Sequence, residues 1–262
     1  MKNKILKEKS LNSINYYIER NLDDFYIKSS QHSNFNSRLE DKISWIFAKN
    51  ADWPNCIFRA NFVDLNIEHE IREIRKLIKE NKAPNGWTVG PLTKPSNLGS
   101  FLEENDFSKV YHQTGMAVDL RYIEDIKIEN NDLKVKLIKS DKSLKQWAKI
   151  VSLGFGIKVD CKLLKFLYLQ PEIKFYIGNY KRKTVSTLML YLAKGIAGLH
   201  AVSTLPEYRC KGLGFTISGI ALLDAYRMGY EVAVLQASNL GERIYKKLGF
   251  QKYCDINSYE LD

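Results

Sequence analysis

The chain's strongest constraint lies between Gly198 and Met228, where it reads strand, turn and helix in direct succession. The apolar stretch Gly198–Leu205 predicts a strand, Pro206-Glu207-Tyr208 leads out of it, and Phe215–Met228 predicts one helix. Between them stands Arg209-Cys210-Lys211-Gly212-Leu213-Gly214. A helix that starts this way presents amides without intrahelical acceptors, and its dipole favours an anion. Gly212 and Gly214 let a ligand approach the backbone with no Cβ in the way, and Arg209 and Lys211 add positive charge. A phosphate-bearing ligand is the expectation, although two glycines before a helix are by themselves more often only a turn.

The rest of the chain narrows what that ligand is. With 45% hydrophobic and 12% aromatic residues, 262 residues bury a sizeable core, which excludes a disordered chain. No apolar run approaches the ~20 residues of a bilayer span. Met1-Lys2-Asn3-Lys4 is followed by charged residues rather than a signal-peptide core, so a cytoplasmic location with no membrane partner is expected. Cys56, Cys161, Cys210 and Cys254 are scattered, as are His32, His69, His112 and His200. Neither set has ligand spacing, so no metal and no disulfide framework is expected. The net charge of +10 is confined to one half: 18 Lys+Arg face 18 Asp+Glu up to Asp125, against 22 and 12 from Ile126 onward. A polyanionic cofactor or nucleic acid suits such a half. Lys181-Arg182-Lys183 is its densest cluster and reads as a solvated hairpin tip.

In order, Ile14, Tyr17, Ile18 and Leu22, and then Ile43, Trp45, Ile46 and Phe47, suit two amphipathic helices split near Ser29–Ser33. A strand at Cys56–Phe62 precedes a helix capped by Asn66, a short strand at Trp87–Val89, a short helix at Leu98–Asn105 and a long strand at Val110–Leu120. Ile126–Asp132 reads as a junction between units 1–130 and 131–262. The second unit predicts a strand at Leu133–Ile138, helices at Leu144–Phe155 and Cys161–Leu169, and three meander strands at Ile173–Tyr180, Thr184–Leu192 and Ile196–Thr204. The Gly-containing turn and its helix follow, then a strand at Val232–Leu235, a helix at Leu240–Lys247 and a last strand from Phe250.

A repeat connects the units. Ser96-Asn97-Leu98-Gly99 matches Ser238-Asn239-Leu240-Gly241, and after a one-residue gap Asp106-Phe107 aligns with Gly249-Phe250. Leu102 stands where the second copy has Tyr245, and the first copy has no basic glycine turn before its helix. Duplication with one emptied copy is the reading.

Residues 131–262 resemble the GNAT superfamily of N-acetyltransferases, with a degenerate echo over 51–120. Arg209-x-x-Gly212-x-Gly214, after Leu205-Pro206-Glu207-Tyr208, is similar to that family's cofactor signature, and Ser238, Gly241, Tyr245, Gly249 and Phe250 are similar to a second one downstream. The resemblance implies an α+β (or α/β) fold of two GNAT-like units, each a mixed, mostly antiparallel sheet flanked by helices, with a splayed fourth strand in the C-terminal unit. It implies acetyl-CoA as co-substrate. The pyrophosphate would sit on Cys210, Lys211, Gly212, Leu213, Gly214, Phe215 and Thr216 beside Arg209, and the pantetheine arm would run along Val202, Ser203 and Thr204. Many relatives carry Asn at the Ser238 position, so Ser238 or Asn239 would contact the cofactor. Tyr245 would be the general acid for the leaving thiolate, which suits a phenol of pKa ~10 beside a thiol of ~8.5.

The reaction implied is direct attack of a primary amine on the thioester. The proton-accepting base stays open among His200, a C-terminal residue such as Tyr259 or Glu260, and water. The acceptor, a small-molecule or peptide amine, is not named by the sequence. A homodimer is left open, and nucleic acid is disfavoured as a partner. A non-catalytic acyl-CoA sensor and a basic nucleic-acid-binding module are the alternatives.

Overall fold

The computed structural model describes residues 10–48, 51–63, 66–125, 127 and 132–262. The sequence features at Met1–Lys9, and most of the expected junction Ile126–Asp132, lie outside the described residues.

Helix α1 (Leu11–Ser30) starts at Ser10, whose side chain accepts the Ser13 amide at 3.2 Å. Its Ile14, Ile18, Leu22 and Phe25 are buried at helical spacing, but so are Glu19, Asn21 and Asp23. The second expected helix is instead a hairpin of β1 (Asn36–Leu39) and β2 (Ser44–Phe47). All four β2 residues are buried, and a short run buried on both faces has no period to separate strand from helix. Next come β3 (Cys56–Phe58), α2 (Ile67–Lys79), β4 (Trp87–Val89), α3 (Leu98–Glu103) and β5 (Phe107–Asp119). The second half follows with β6 (Leu133–Leu137), α4 (Asp141–Phe155), α5 (Cys161–Tyr168), β7 (Ile173–Tyr180), β8 (Lys183–Ala193), β9 (Ile196–Thr204), α6 (Leu213–Arg227), β10 (Val232–Ala237), α7 (Glu242–Lys247) and β11 (Gln251–Leu261).

The eleven strands form one sheet in the order β1-β2-β3-β4-β11-β5-β10-β9-β8-β7-β6. The two halves are therefore interleaved: β5 lies between β11 and β10, and β11 lies between β4 and β5. The stretch β3-β4-β11-β5-β10-β9 reads the same from both ends when β3 is matched to β9, β4 to β10 and β11 to β5. The β3–β4 and β9–β10 pairs are parallel and the pairs between them antiparallel, as that symmetry requires. Six residues beyond the matched Phe107 and Phe250 stand Gln113 and Ile256, which pair with each other, so a pseudo-twofold axis passes between β5 and β11 there.

Along β10, Ala233 and Leu235 pack under α6 and α7, while Val232 and Val234 pack against α1. The same alternation puts Leu188 and Leu190 of β8 under α6, and Met189 and Tyr191 in the core built by α4, α5 and Phe25. In the first half Ile71 and Leu98 pack on Trp87 and Phe107 in their own core. No helix among the described residues is long and apolar enough to cross a membrane.

Candidate active site

The site begins where two parallel strands part. The β9–β10 pairing runs from Ile196–Val232 to Leu199–Leu235 and stops, although β9 continues to Thr204 and β10 to Ala237. Two residues past the last pair, Ala201 is left-handed at φ 48°, and the β8–β9 register slips there, with Met189 opposite His200 but Thr187 opposite Ser203. Such a bulge bends its strand, and here it turns Val202, Ser203 and Thr204 away from β10. The first half keeps the same device: Arg59, at φ 57°, stands two residues past Ile57–Trp87, the pair that joins β3 to β4. Val202 and Thr204 are half-buried and Ser203 is buried.

The turn after β9 ends in a helix start that the protein leaves uncapped. Gly212, at φ 73°, is the N-cap of α6 and offers no side chain to the first turn. A residue with a Cβ pays for that conformation, which explains glycine at this position. The Thr216 amide donates to Gly212 O at 3.0 Å, as does its hydroxyl at 3.1 Å. The amides of Leu213, Gly214 and Phe215 find no acceptor among the described residues. By contrast Asn66, at the start of α2, accepts the His69 amide at 3.1 Å and so fills the equivalent position in the first half.

The basic side chains of the turn are exposed and bond backbone carbonyls at the surface. Arg209 donates from Nε to Thr204 O at 3.1 Å and from its terminal nitrogen to Gly154 O at 3.0 Å. It thereby ties the turn to both β9 and the end of α4. Lys211 Nζ donates to Glu207 O at 3.2 Å and lies 5.9 Å from the centre of the Tyr208 ring. Cys210 is exposed and left-handed at φ 60°.

Past β10, Ser238 Oγ accepts the Gly241 amide at 3.2 Å, whereas Asn239 is exposed. Tyr245 is only 8% exposed, and its ring meets Phe250 edge-on at 5.7 Å. Burial pushes its phenol well above the usual range. Leu102, its counterpart in the repeat, is fully buried in the first half's core. The arrangement brings the turn, the splayed β9 and the helix bearing Tyr245 to one end of the sheet. Tyr259 lies elsewhere, in the core of the first half.

His200 is a core residue. Its Nε2–H donates to Asn21 Oδ1 at 2.9 Å, its ring stacks on Phe25 at 5.3 Å, and burial lowers its pKa to about 4. Asn21 and Phe25 escape sequence reasoning, because helical spacing shows only that they lie on a buried flank of α1. A neighbouring contact escapes it too: Trp53 stacks on Phe25 at 5.4 Å and bridges to Val159 in the α4–α5 loop. Among the described residues no group of three His, Cys, Asp or Glu is placed to hold a metal ion.

No family profile and no curated protein matches the sequence. Solved structures do match in fold. A GCN5-related N-acetyltransferase from Kribbella flavida aligns with TM-score 0.65 at 17% identity, covering 89% of this chain and 93% of its own. A GCN5-related N-acetyltransferase-like protein from Streptococcus suis aligns with TM-score 0.55 at 13% identity over 97% and 100%. A tandem GNAT protein from the clavulanic acid biosynthesis pathway aligns with TM-score 0.57 at 10% identity over 83% and 77%. At such identities the likeness is one of fold.

Proposed function

From a fold shared with GCN5-related N-acetyltransferases, we infer that the chain is an acetyl-CoA-dependent N-acetyltransferase acting on a primary amine. The observation that carries this reading is the pairing of the splayed β9 with the uncapped start of α6. Parted strands leave an unpaired backbone edge of a kind that an extended amide-bearing arm can pair with. The amides of Leu213, Gly214 and Phe215, with the helix dipole behind them, suit a pyrophosphate. Arg209 serves as the clamp that sets the turn, rather than as a direct phosphate ligand. Asn239 is the better contact of the pair Ser238–Asn239, since Ser238 Oγ already serves α7. The chemistry belongs to residues 131–262, while residues 1–130 supply β5 and α1.

In the reaction the amine nitrogen attacks the thioester carbonyl carbon, the C–N bond forms, the C–S bond breaks and CoA leaves as a thiol. Tyr245 donates the proton to sulfur and is reprotonated from solvent, which receives the amine's proton. Its raised pKa excludes it as the base and also weakens it as an acid, so the proton moves only as charge develops on sulfur. His200, neutral and bonded to Asn21, is a poor base, so water takes the proton from the amine.

The test is thiol release from acetyl-CoA across small amines, amino acids, peptide N-termini and lysine peptides. Turnover with one class supports the reading, and failure to bind acetyl-CoA overturns it. Binding without turnover supports an acyl-CoA sensor instead, a reading favoured by the depth at which Tyr245 sits.

A further inference from the structure

The pseudo-twofold axis matches the two halves residue by residue. It exchanges the Ile57–Trp87 pair with Leu199–Leu235, and the left-handed Arg59 with the left-handed Ala201. Ala60, Asn61 and Phe62 therefore stand where Val202, Ser203 and Thr204 stand in the second half. Val89, opposite Asn257, likewise matches Ala237, opposite Thr114. In the second half Ser238 follows Ala237 at once. The first half instead carries six residues, Gly90–Pro95, between Val89 and the matching Ser96.

Those six residues turn back into the first half's own splay. The Lys94 amide donates to Ala60 O at 2.9 Å, the Phe62 amide donates to Lys94 O at 2.9 Å, and Lys94 so forms a parallel bridge with Asn61. The matching edge of the second half is open. Leu205 N–H donates to Val185 O at 3.0 Å on the β8 side, so strand alternation points the Val202 and Thr204 backbone the other way. No strand pairs with them there among the described residues.

The inserted segment is held at both ends. The Gly90 amide donates to the hydroxyl of the buried Thr93 at 3.0 Å, and the Leu92 amide donates to the buried Glu19 carboxyl at 2.7 Å. Glu19 reaches it because residue 90 is a glycine: a Cβ there would lie 2.7 Å from the Glu19 carboxyl carbon. The helix start is closed too, since the Asn66 side chain takes the His69 amide. A splayed strand with no ligand would leave backbone N–H and C=O groups unpaired, and here the chain supplies the partner itself.

We propose that Leu92–Lys94 is a built-in substitute for the pantetheine arm, closing the first half's copy of the cofactor site and limiting the protein to one acyl-CoA per chain. The inference rests on the acetyl-CoA reading, whose open β9 edge is its standard of comparison. It goes beyond that reading by giving the six-residue insertion a function.

Two measurements on the full-length wild type test this. Calorimetric titration with acetyl-CoA is expected to show one equivalent per chain. Amide exchange at Lys94 and Phe62 is expected to be at least about 100-fold slower than in an unfolded chain, with or without saturating acetyl-CoA. A variant opens the first half by deleting Gly90–Pro95, which joins Val89 to Ser96 as Ala237 joins Ser238, together with Asn66→Gly, a mild change at an N-cap. It is expected to take up a second, weaker equivalent of acetyl-CoA. Two equivalents in the wild type, or fast exchange at Lys94 and Phe62, overturns the inference and leaves the acetyl-CoA reading standing. So does a variant that keeps the first equivalent at wild-type affinity and takes no second. A variant that loses the first equivalent as well is misfolded, and the wild-type exchange then decides. Failure of the wild type to bind acetyl-CoA overturns both readings.

Discussion

Tyr245 and His200 show how little a residue's type says about its work. Both are polar groups in apolar surroundings, and burial moves both toward the neutral form, raising the phenol and lowering the imidazole to about 4. Tyr245→Phe removes one hydroxyl from a packed ring, so the fold and acetyl-CoA affinity should survive, with binding within about twofold of wild type. Turnover should drop on the order of 10²-fold, the usual loss of a general acid. Steady-state thiol release, read beside calorimetric binding, checks this, and a collapse of binding would remove the acid role. The placement of Tyr245 and of the turn's glycines was legible because their spacing lies within one short segment. Asn21 was not, because it meets His200 across 179 residues of sequence. No local pattern carries such a contact.

At the scale of elements, α1 and α4 carry the clearest consequences. Glu19 of α1 is 3% exposed and accepts the Leu92 amide at 2.7 Å, yet desolvation raises its pKa from 4.5 to about 7. Arg20 opposes that rise, and burial, with Glu19 one turn before it, raises the carboxyl of Asp23 as well. Between pH 4.5 and 7 the folded protein holds a proton that the unfolded chain has released, so the stabilisation present at low pH is lost as pH rises through 7. Glu19→Gln keeps an acceptor for Leu92 and removes the titration. The variant should gain stability relative to wild type from pH 5 to 8, by at most about 3 kcal/mol. Denaturant melts at both pH values measure it, and parallel curves would refute it. On α4, a Cβ at Gly154 would stand 1.9 Å from Ser203 Oγ. Gly154→Ala should therefore cost about 1–3 kcal/mol of stability. Adding Ser203→Ala should recover part of that in thermal melts, since the next atom, Ser203 Cβ, lies 3.2 Å away. Elements with clear periods and caps, such as α2 behind Asn66, were legible. β2 was not, because four consecutive buried residues carry no period.

At the scale of the whole molecule, the two units expected from the sequence share one sheet, and each lends a strand to the other's middle. Residues 131–262 expressed alone would leave β10 and β11 without β5, exposing two long edges. That fragment should be insoluble or misassembled, while coexpression with residues 1–130 should restore a soluble complex. Recovery of a folded, monomeric 131–262 fragment would refute this. The repeat was readable in Ser96–Gly99 and Ser238–Gly241, but the exchange of strands was not, since pairing partners leave no mark in a single sequence. The pseudo-twofold axis has one more consequence. In a symmetric dimer every substitution arrives twice, once on each side, and neither half can change alone. Joining the halves in one polypeptide releases them from that bond. Helix α1 shows the result, giving Asn21 and Phe25 to His200 on one side of the axis and Glu19 to the Leu92 amide on the other.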